Sequence, residues 1–476
     1  SRLRGLSILN LCVPNYPSVM AFAGLLLLIA FTQCRSIKVE RATHKGDDKY
    51  FWPSGRGRVG SYSVSPFVAP SNSKESLAWT WHDPKGRYRN VPNGANIDGQ
   101  KNIYLTSLDG IRKFSPDGNL LWTFNGEKEM PDQASLYNGA VYVSATQGTI
   151  YAISMETGQA LWETKLKSTD GNNGWVSVSE DTVITGSDNS EMYHGHWRAG
   201  KNADQLVTGL NATDGTVKWR YTPTSPVWNF AASFAGDGTF IFQDYEGRAY
   251  RNRVSDGTNL WQNGGAEGSW TDGGALMGSN NIVYSVGMIE HSEGNSPGYV
   301  YAFALEDGKQ LWKTRVPRPP NNVPGLGRLA GKTGLSLVQP IGQQCQMGQP
   351  TDVYALDAET GEVQWVFNGP TQKNLLQAGD SNLIAQFQRM TAGVRPITLP
   401  NPWSAPSIDG AGKVFIGSEE GPFYALVDTN GDGHVEGPDE VSSFDTLACF
   451  SGSSSAAHAP GMMVAASIDA MYVFKQ

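Results

Sequence analysis

Val353–Trp365 reads VYALDAETGEVQW. In its first half Tyr354 and Leu356 alternate with Ala355 and Asp357, the period of a half-buried strand. Thr360-Gly361 then predicts a tight turn, because glycine takes the positive φ that a short hairpin demands. A second strand follows and ends in tryptophan. One hairpin of this kind cannot bury its own apolar face, so other elements must cover it.

The cover is further copies of the same unit. IRKFSPDGNLLW ends at Trp122, YAISMETGQALW at Trp162, VTGLNATDGTVKW at Trp219, YRNRVSDGTNLW at Trp261 and YAFALEDGKQLW at Trp312. In every copy a glycine stands four residues before the tryptophan: Gly118, Gly158, Gly215, Gly257, Gly308 and Gly361. Successive tryptophans are 40, 57, 42, 51 and 53 residues apart, the range of a four-stranded propeller blade with variable loops. Upstream of each hairpin lie other β segments, such as GAVYVSATQG before Tyr151 and GTFIFQDYEG before Ala249. Four strands per repeat, stacked radially, predict an all-β protein with the architecture of a β-propeller.

Six blades are explicit, and the C-terminal part supplies the rest. SAPSIDGAGKVFIGSEEGPFYALVDTN with EVSSF forms a seventh, with Phe444 where the tryptophan should stand. Residues 453–476 carry only three strands, while LAWTW, Leu77–Trp81, has no partner at the front of the chain. The expectation is an eight-bladed β-propeller over 77–476, closed by pairing of Trp79–Trp81 with Tyr472–Lys475. Such closure removes the free sheet edges of an open ring.

The AxDAxTGxxxW pattern in a ring of eight resembles the pyrroloquinoline-quinone (PQQ) repeat family. That superfamily, quinoprotein alcohol dehydrogenase-like in name, also holds non-enzymatic relatives such as the lipoprotein of the outer-membrane barrel-assembly machine. The resemblance implies the fold for residues 77–476; it does not imply the cofactor, because the repeated tryptophan serves packing between blades.

Composition agrees with many short strands: 55 glycines and 14 tryptophans stand among 476 residues, of which 17% are charged. The net charge of −8, with no basic stripe, argues against nucleic-acid binding and fits calcium or a positively charged partner better. Residues 1–36 read as a targeting leader, with the apolar run Val19–Phe31 as a signal-peptide core or, alternatively, a membrane anchor. Residues 37–76 read as a flexible linker. The secretory pathway is expected, outside the cell or in an organelle lumen. Cys12 and Cys34 fall in the leader, which leaves Cys345 and Cys449 either as one disulfide or as two thiols.

Two places could carry function. Asp428–Glu440, DTNGDGHVEGPDE, is an EF-hand-like loop: Asp428, Asn430 and Asp432 at positions one, three and five, Gly433 at the sixth, and His434 giving its carbonyl. Glu436 follows, directly or through water, and the closing acid is Asp439 at position twelve or Glu440 one step late. Calcium there would stiffen the blade-seven hairpin, into which nine residues have been added; the competing reading is an acidic, solvated turn.

The second place is the channel mouth. Trp175, Trp228, Trp270 and Trp403 each precede the first strand of a blade and could form an aromatic collar. The resemblance implies that a quinone would stack there, with Asp272 as base and Asn229 nearby, yet neither an adjacent Cys-Cys pair nor CxxCH is present. Aromatics packing the narrow axis are the simpler reading. His194 and His196 could hold a metal only with a third ligand from elsewhere.

Long connections cluster on the collar face, in 187–204, 288–298, 339–351 and 369–402. That face is expected to bind a protein, peptide or glycan. The favoured expectation is a non-enzymatic, monomeric binding scaffold stabilised by calcium. The alternative is a PQQ- and calcium-dependent alcohol or sugar dehydrogenase.

Overall fold

A computed structural model describes residues 49–476 except 59, 61–62, 71–73, 87–89, 91, 167–173, 188–189, 194–195, 200–205, 228–229, 266–268, 270, 272–273, 289–296, 321, 343–347, 374–390, 392–401, 447 and 451–453, with the backbone alone over much of 187–200. The expected leader, Cys345 and His194 fall outside the described residues, whereas Cys449 is buried.

Eight antiparallel sheets form the blades of a β-propeller. Blade one comprises Pro92–Asp98, Ile103–Ser107, Gly110–Phe114 and Leu120–Asn125, from the axis outward. Blade six repeats the plan with Gly325–Gly327, Ser336–Ile341, Pro350–Asp357 and Val363–Thr371. The middle strands are buried on both faces and the outer ones alternate, as expected of sheets stacked face to face. The core is therefore divided into layers between neighbouring blades. Leu276, Tyr284 and Val300 of blade five, for example, meet Leu326, Leu337 and Leu356 of blade six.

Ring closure is as expected. Leu77–Trp81 pairs antiparallel with Met471–Lys475, placing Trp79 opposite Val473, Thr80 opposite Tyr472 and Trp81 opposite Met471. Blade three carries an added hairpin, Ser190–Tyr193 with His196–Ala199, in its long connection.

The repeated glycine and tryptophan meet across blades. Gly158 has φ +71°, and a Cβ there would come within 2.7 Å of the Trp122 ring of the preceding blade. Gly215, Gly257, Gly308 and Gly361 sit in the same way against Trp162, Trp219, Trp261 and Trp312. Each indole then donates to a carbonyl of the next blade: Trp122 to Met155 at 3.1 Å, Trp162 to Ala212 at 2.9 Å, Trp219 to Val254 at 2.8 Å, Trp261 to Leu305 at 2.8 Å and Trp312 to Ala358 at 3.2 Å. Trp79 closes the series by donating to Pro116 at 2.9 Å. The glycine is thus required twice over, by its turn and by the ring that lies on it. Gly158→Ala is expected to cost roughly 1–3 kcal/mol, read as a lowered urea midpoint, through strain and overpacking.

Residues 37–76, expected as a flexible linker, are ordered from residue 49 onward over much of their length, and they enter the ring. Tyr50–Trp52 adds a strand to the innermost strand of blade one, with Tyr50 opposite Asp98 and Trp52 opposite Ile97. Ser54 and Gly57 exchange backbone hydrogen bonds in a turn, and Val64 returns alongside Ile408 of blade seven. The composition is that of a loop, but the partners that order it are spread along the whole chain: Pro53 accepts from Leu136, Gly55 from Ser455, and Ser65 donates to Ile408. Tyr50 lies by the far end of the blade-one inner strand and Gly410, in the first turn of blade seven, meets Pro66 at the same end. The segment is a hairpin that threads the axis from the turn side to the side where chains enter the blades.

Candidate functional site

The tip of this axial hairpin carries Arg56. Its guanidinium lies 4.5 Å from the centroid of the Trp175 ring, at the mouth where blade three begins. Arg56 is only 2% exposed, and burial alone pulls its pKa down to about 9. Trp175 is 7% exposed, and its side chain also hydrogen-bonds toward Asp132, in the connection into blade two. Burial pushes the Asp132 carboxyl up to about 7, and the Trp175 hydrogen bond offsets only part of that rise.

A carboxyl raised in the folded state favours the fold while it is protonated. Stability drawn from Asp132 is present below the ordinary carboxylate range and is lost as pH rises toward about 7. Asp132→Asn is expected to stabilise the protein at pH 8 by roughly 1–3 kcal/mol and to do nothing at pH 4, read from paired urea titrations.

The proposed collar is not one open ring. Trp403 is fully buried between blades six and seven, 6.2 Å from Phe367 and 5.9 Å from Tyr424, so it belongs to the core rather than to a binding face. Gly369, in the outer strand of blade six, leaves room for its ring, and the Trp403 carbonyl accepts from Asn322 at 2.9 Å. Trp228, Asn229, Trp270 and Asp272 lie outside the described residues. Nothing in the sequence marks Asp132, and the basic GRGR stretch, Gly55–Arg58, is the signal for Arg56.

A quinone stacked on Trp175 would have to take the place of the Arg56 guanidinium. The residues described at the mouth therefore do not fit that cofactor while the hairpin is in place.

The blade-seven loop is a clasp between blades. Gly433 accepts from Val366 at 3.0 Å and Val435 donates back to Val366 at 2.9 Å, a parallel bridge onto the outer strand of blade six. An open cleft of about 420 Å³ lies beside it, lined by Phe367, Tyr424, His434, Glu436 and Val441. Phe444 packs on Tyr472 and Phe474 without an indole donor.

Within the loop, Asx turns hold the expected order: Asp428 Oδ1 accepts from Gly431, Asn430 Oδ1 from Asp432, and Asp432 Oδ1 from His434, at 2.7, 2.8 and 2.8 Å. Glu440 is the acid that turns inward, while Asp439, Asp432, His434 and Glu436 are exposed. Its carboxylate accepts from the amides of Thr429, Asn430 and Glu436 and from the Thr429 hydroxyl. The buried Asp428 Oδ2 faces the Lys332 ammonium at 3.5 Å. Among the described residues no three acidic, His or Cys side chains converge as a metal site.

Those amides, that of Glu436 first, hold the Glu440 carboxyl below its ordinary range. A depressed carboxyl stabilises the fold above the ordinary Glu range and loses that contribution as pH falls through its own pKa. Glu440→Gln is expected to lower Tm at pH 7, with the gap to the parent closing below pH 4 in a thermal-melt series.

The family model described as "Outer membrane protein assembly factor BamB", of PQQ_2 type, matches residues 109–286 and 253–394. The chain belongs to this family. The outer membrane protein assembly factor BamB of Yersinia pestis is 21% identical over 323 residues, covering 63% of this chain and 77% of that protein. The quinoprotein alcohol dehydrogenase PedH of Pseudomonas putida is 22% identical over 253 residues, 43% of this chain, and the match spans only 41% of the dehydrogenase. Among solved structures, BamB from Moraxella catarrhalis superposes with a TM-score of 0.54 at 14% identity, covering 84% of this chain and 97% of that one. At that identity the likeness speaks for the fold.

Proposed function

We propose that this BamB-like propeller is a non-enzymatic scaffold that binds protein, through the face on which the long connections gather. The observation that carries this reading is the Arg56 guanidinium lying on Trp175, which covers that ring at the axial mouth from within the chain. The family description, an outer-membrane assembly factor, supports a protein partner and a site of action at a membrane surface beyond the cytoplasm. On the same face Lys373 donates to Glu420 at 2.6 Å, tying the connection into blade seven to a turn between its middle strands. A photo-crosslinker at exposed Lys373 is expected to capture a discrete partner, and one at exposed Glu156 on the opposite turns to capture none. Equal capture from both faces would defeat the assignment.

The quinone-dependent dehydrogenase is the second reading, supported by the PedH match. Titration with PQQ and calcium decides between them: the scaffold reading expects no cofactor absorbance band and no dye reduction across an alcohol panel. Calcium at the blade-seven loop is likewise a proposal. An ion there would require Lys332 to withdraw from Asp428 and Glu440 to release its amides. A Tm several degrees higher in millimolar calcium than in chelator supports it, and an unchanged Tm removes it.

A further inference from the structure

The hairpin in the axis has the build of a bound peptide. Its first strand joins the blade-one sheet by strand addition, Tyr50 to Asp98 and Trp52 to Ile97. Its return strand bridges Val64 to Ile408 in the blade-seven sheet. Main-chain pairing of this kind supplies affinity with little demand on sequence, and specificity comes from side chains seated between the blades. Two such anchors are present. Trp52 is 1% exposed, 5.3 Å from the His458 ring, with Gly57 folded beneath it. Arg56 covers Trp175 and lies against Gly274 at the entry to blade five.

The same interface holds uncompensated polar atoms. Among the described residues, Arg56 Nε and Nη1, Trp52 Nε1 and Ser63 Oγ are buried without a hydrogen-bond partner, and on the facing blades so are Gln133 Oε1, Asp132 Oδ2 and His458 Nδ1. Buried polar groups left unpaired weaken an interface. Strand pairing with strong anchors holds the hairpin, and unpaired polar groups lower the cost of letting it go.

We infer that the axis is an acceptor site for an extended protein segment, and that the Tyr50–Arg58 and Ser63–Ala69 hairpin is its resident, exchangeable ligand. The partner segment that competes for it is an extended strand carrying an aromatic residue followed within four positions by arginine, the order of Trp52 and Arg56. The hairpin reaches the loop-rich face only at its Arg56 tip, and failure of exchange along the axis leaves protein binding by the loops of that face standing.

The test uses the whole chain. A protease recognition sequence replaces residues 71–75, between the hairpin and the closing strand, and the folded protein is cut there. A labelled peptide of residues 49–69 is then added in excess and followed by fluorescence anisotropy and gel filtration. The expected result is that the cut fragment stays bound, that the labelled peptide replaces it within hours, and that a Trp52→Ala peptide binds at least ten-fold more weakly. Two results would overturn the inference. Either the fragment leaves and no peptide binds, while the ring keeps its Tm, or the fragment fails to exchange over days at saturating peptide. Because the cut is made after folding, neither outcome depends on a truncated chain reaching its native state.

Discussion

Trp52→Ala is expected to lower the stability of the propeller by about 3–5 kcal/mol, the usual cost of removing a fully buried large aromatic ring. The size follows from what the ring touches. Trp52 shares one core cluster with Ala95, Ile97 and Ile103 of blade one and Met462 and Val464 of blade eight, and lies 5.3 Å from the His458 ring, so it joins the two blades. Gly57, with φ +81°, sits directly beneath the ring and has no side chain to refill that volume. Equilibrium unfolding in urea, followed by tryptophan fluorescence, measures the effect. A loss below about 1 kcal/mol would mean that the segment rests on the ring without helping to hold it.

Deleting Met471–Gln476 is expected to have the largest consequence, loss of cooperative folding. Met471, Val473 and Phe474 are fully buried, and their strand stands between Met462–Ala466 and Leu77–Trp81. Without it the closing N-terminal strand has no partner, and two sheet edges open in a ring whose stability comes from neighbour contacts. Near-UV circular dichroism and gel filtration should show lost tertiary packing and aggregation. A truncated chain that melts sharply at the parental Tm would show that the ring does not depend on this clasp.

Legibility in the sequence followed the range over which each signal acts. The blades were readable because the glycine and tryptophan of each hairpin are four residues apart, and the same pair recurs six times. Their roles were readable too: the indoles do lie on the glycines of the next blade and donate to its carbonyls. Closure of the eighth blade could be inferred because a three-stranded remainder and a stray LAWTW leave one pairing. The axial hairpin could not be read in this way. GRGRVGSYS has the composition of a linker, while the described residues Pro53, Gly55, Ser63 and Ser65 are held by Leu136, Ser455 and Ile408, far away in the chain. Trp403 was misplaced for a related reason. Its position before a first strand suggested the mouth, but Gly369 in the preceding blade opens a slot that takes the ring into the core. In the blade-seven loop the spacing of Asp428, Asn430 and Asp432 reads as a ligand set; in the fold their side chains close successive Asx turns, Glu440 is the acid that turns inward, and Lys332, far off in sequence, faces Asp428.

The central claim is a closed eight-bladed ring whose axis is filled by its own N-terminal hairpin. Native-state hydrogen exchange at the amides of Tyr50–Trp52 and Ser63–Ser65 tests it most directly. The account predicts slow exchange for Trp52, Ser63 and Ser65, whose segments lie in strand pairing or bridges against the inner strands, at rates comparable to the inner strand Pro92–Asp98. Exchange of these amides within seconds, while the blades stay protected, would contradict it.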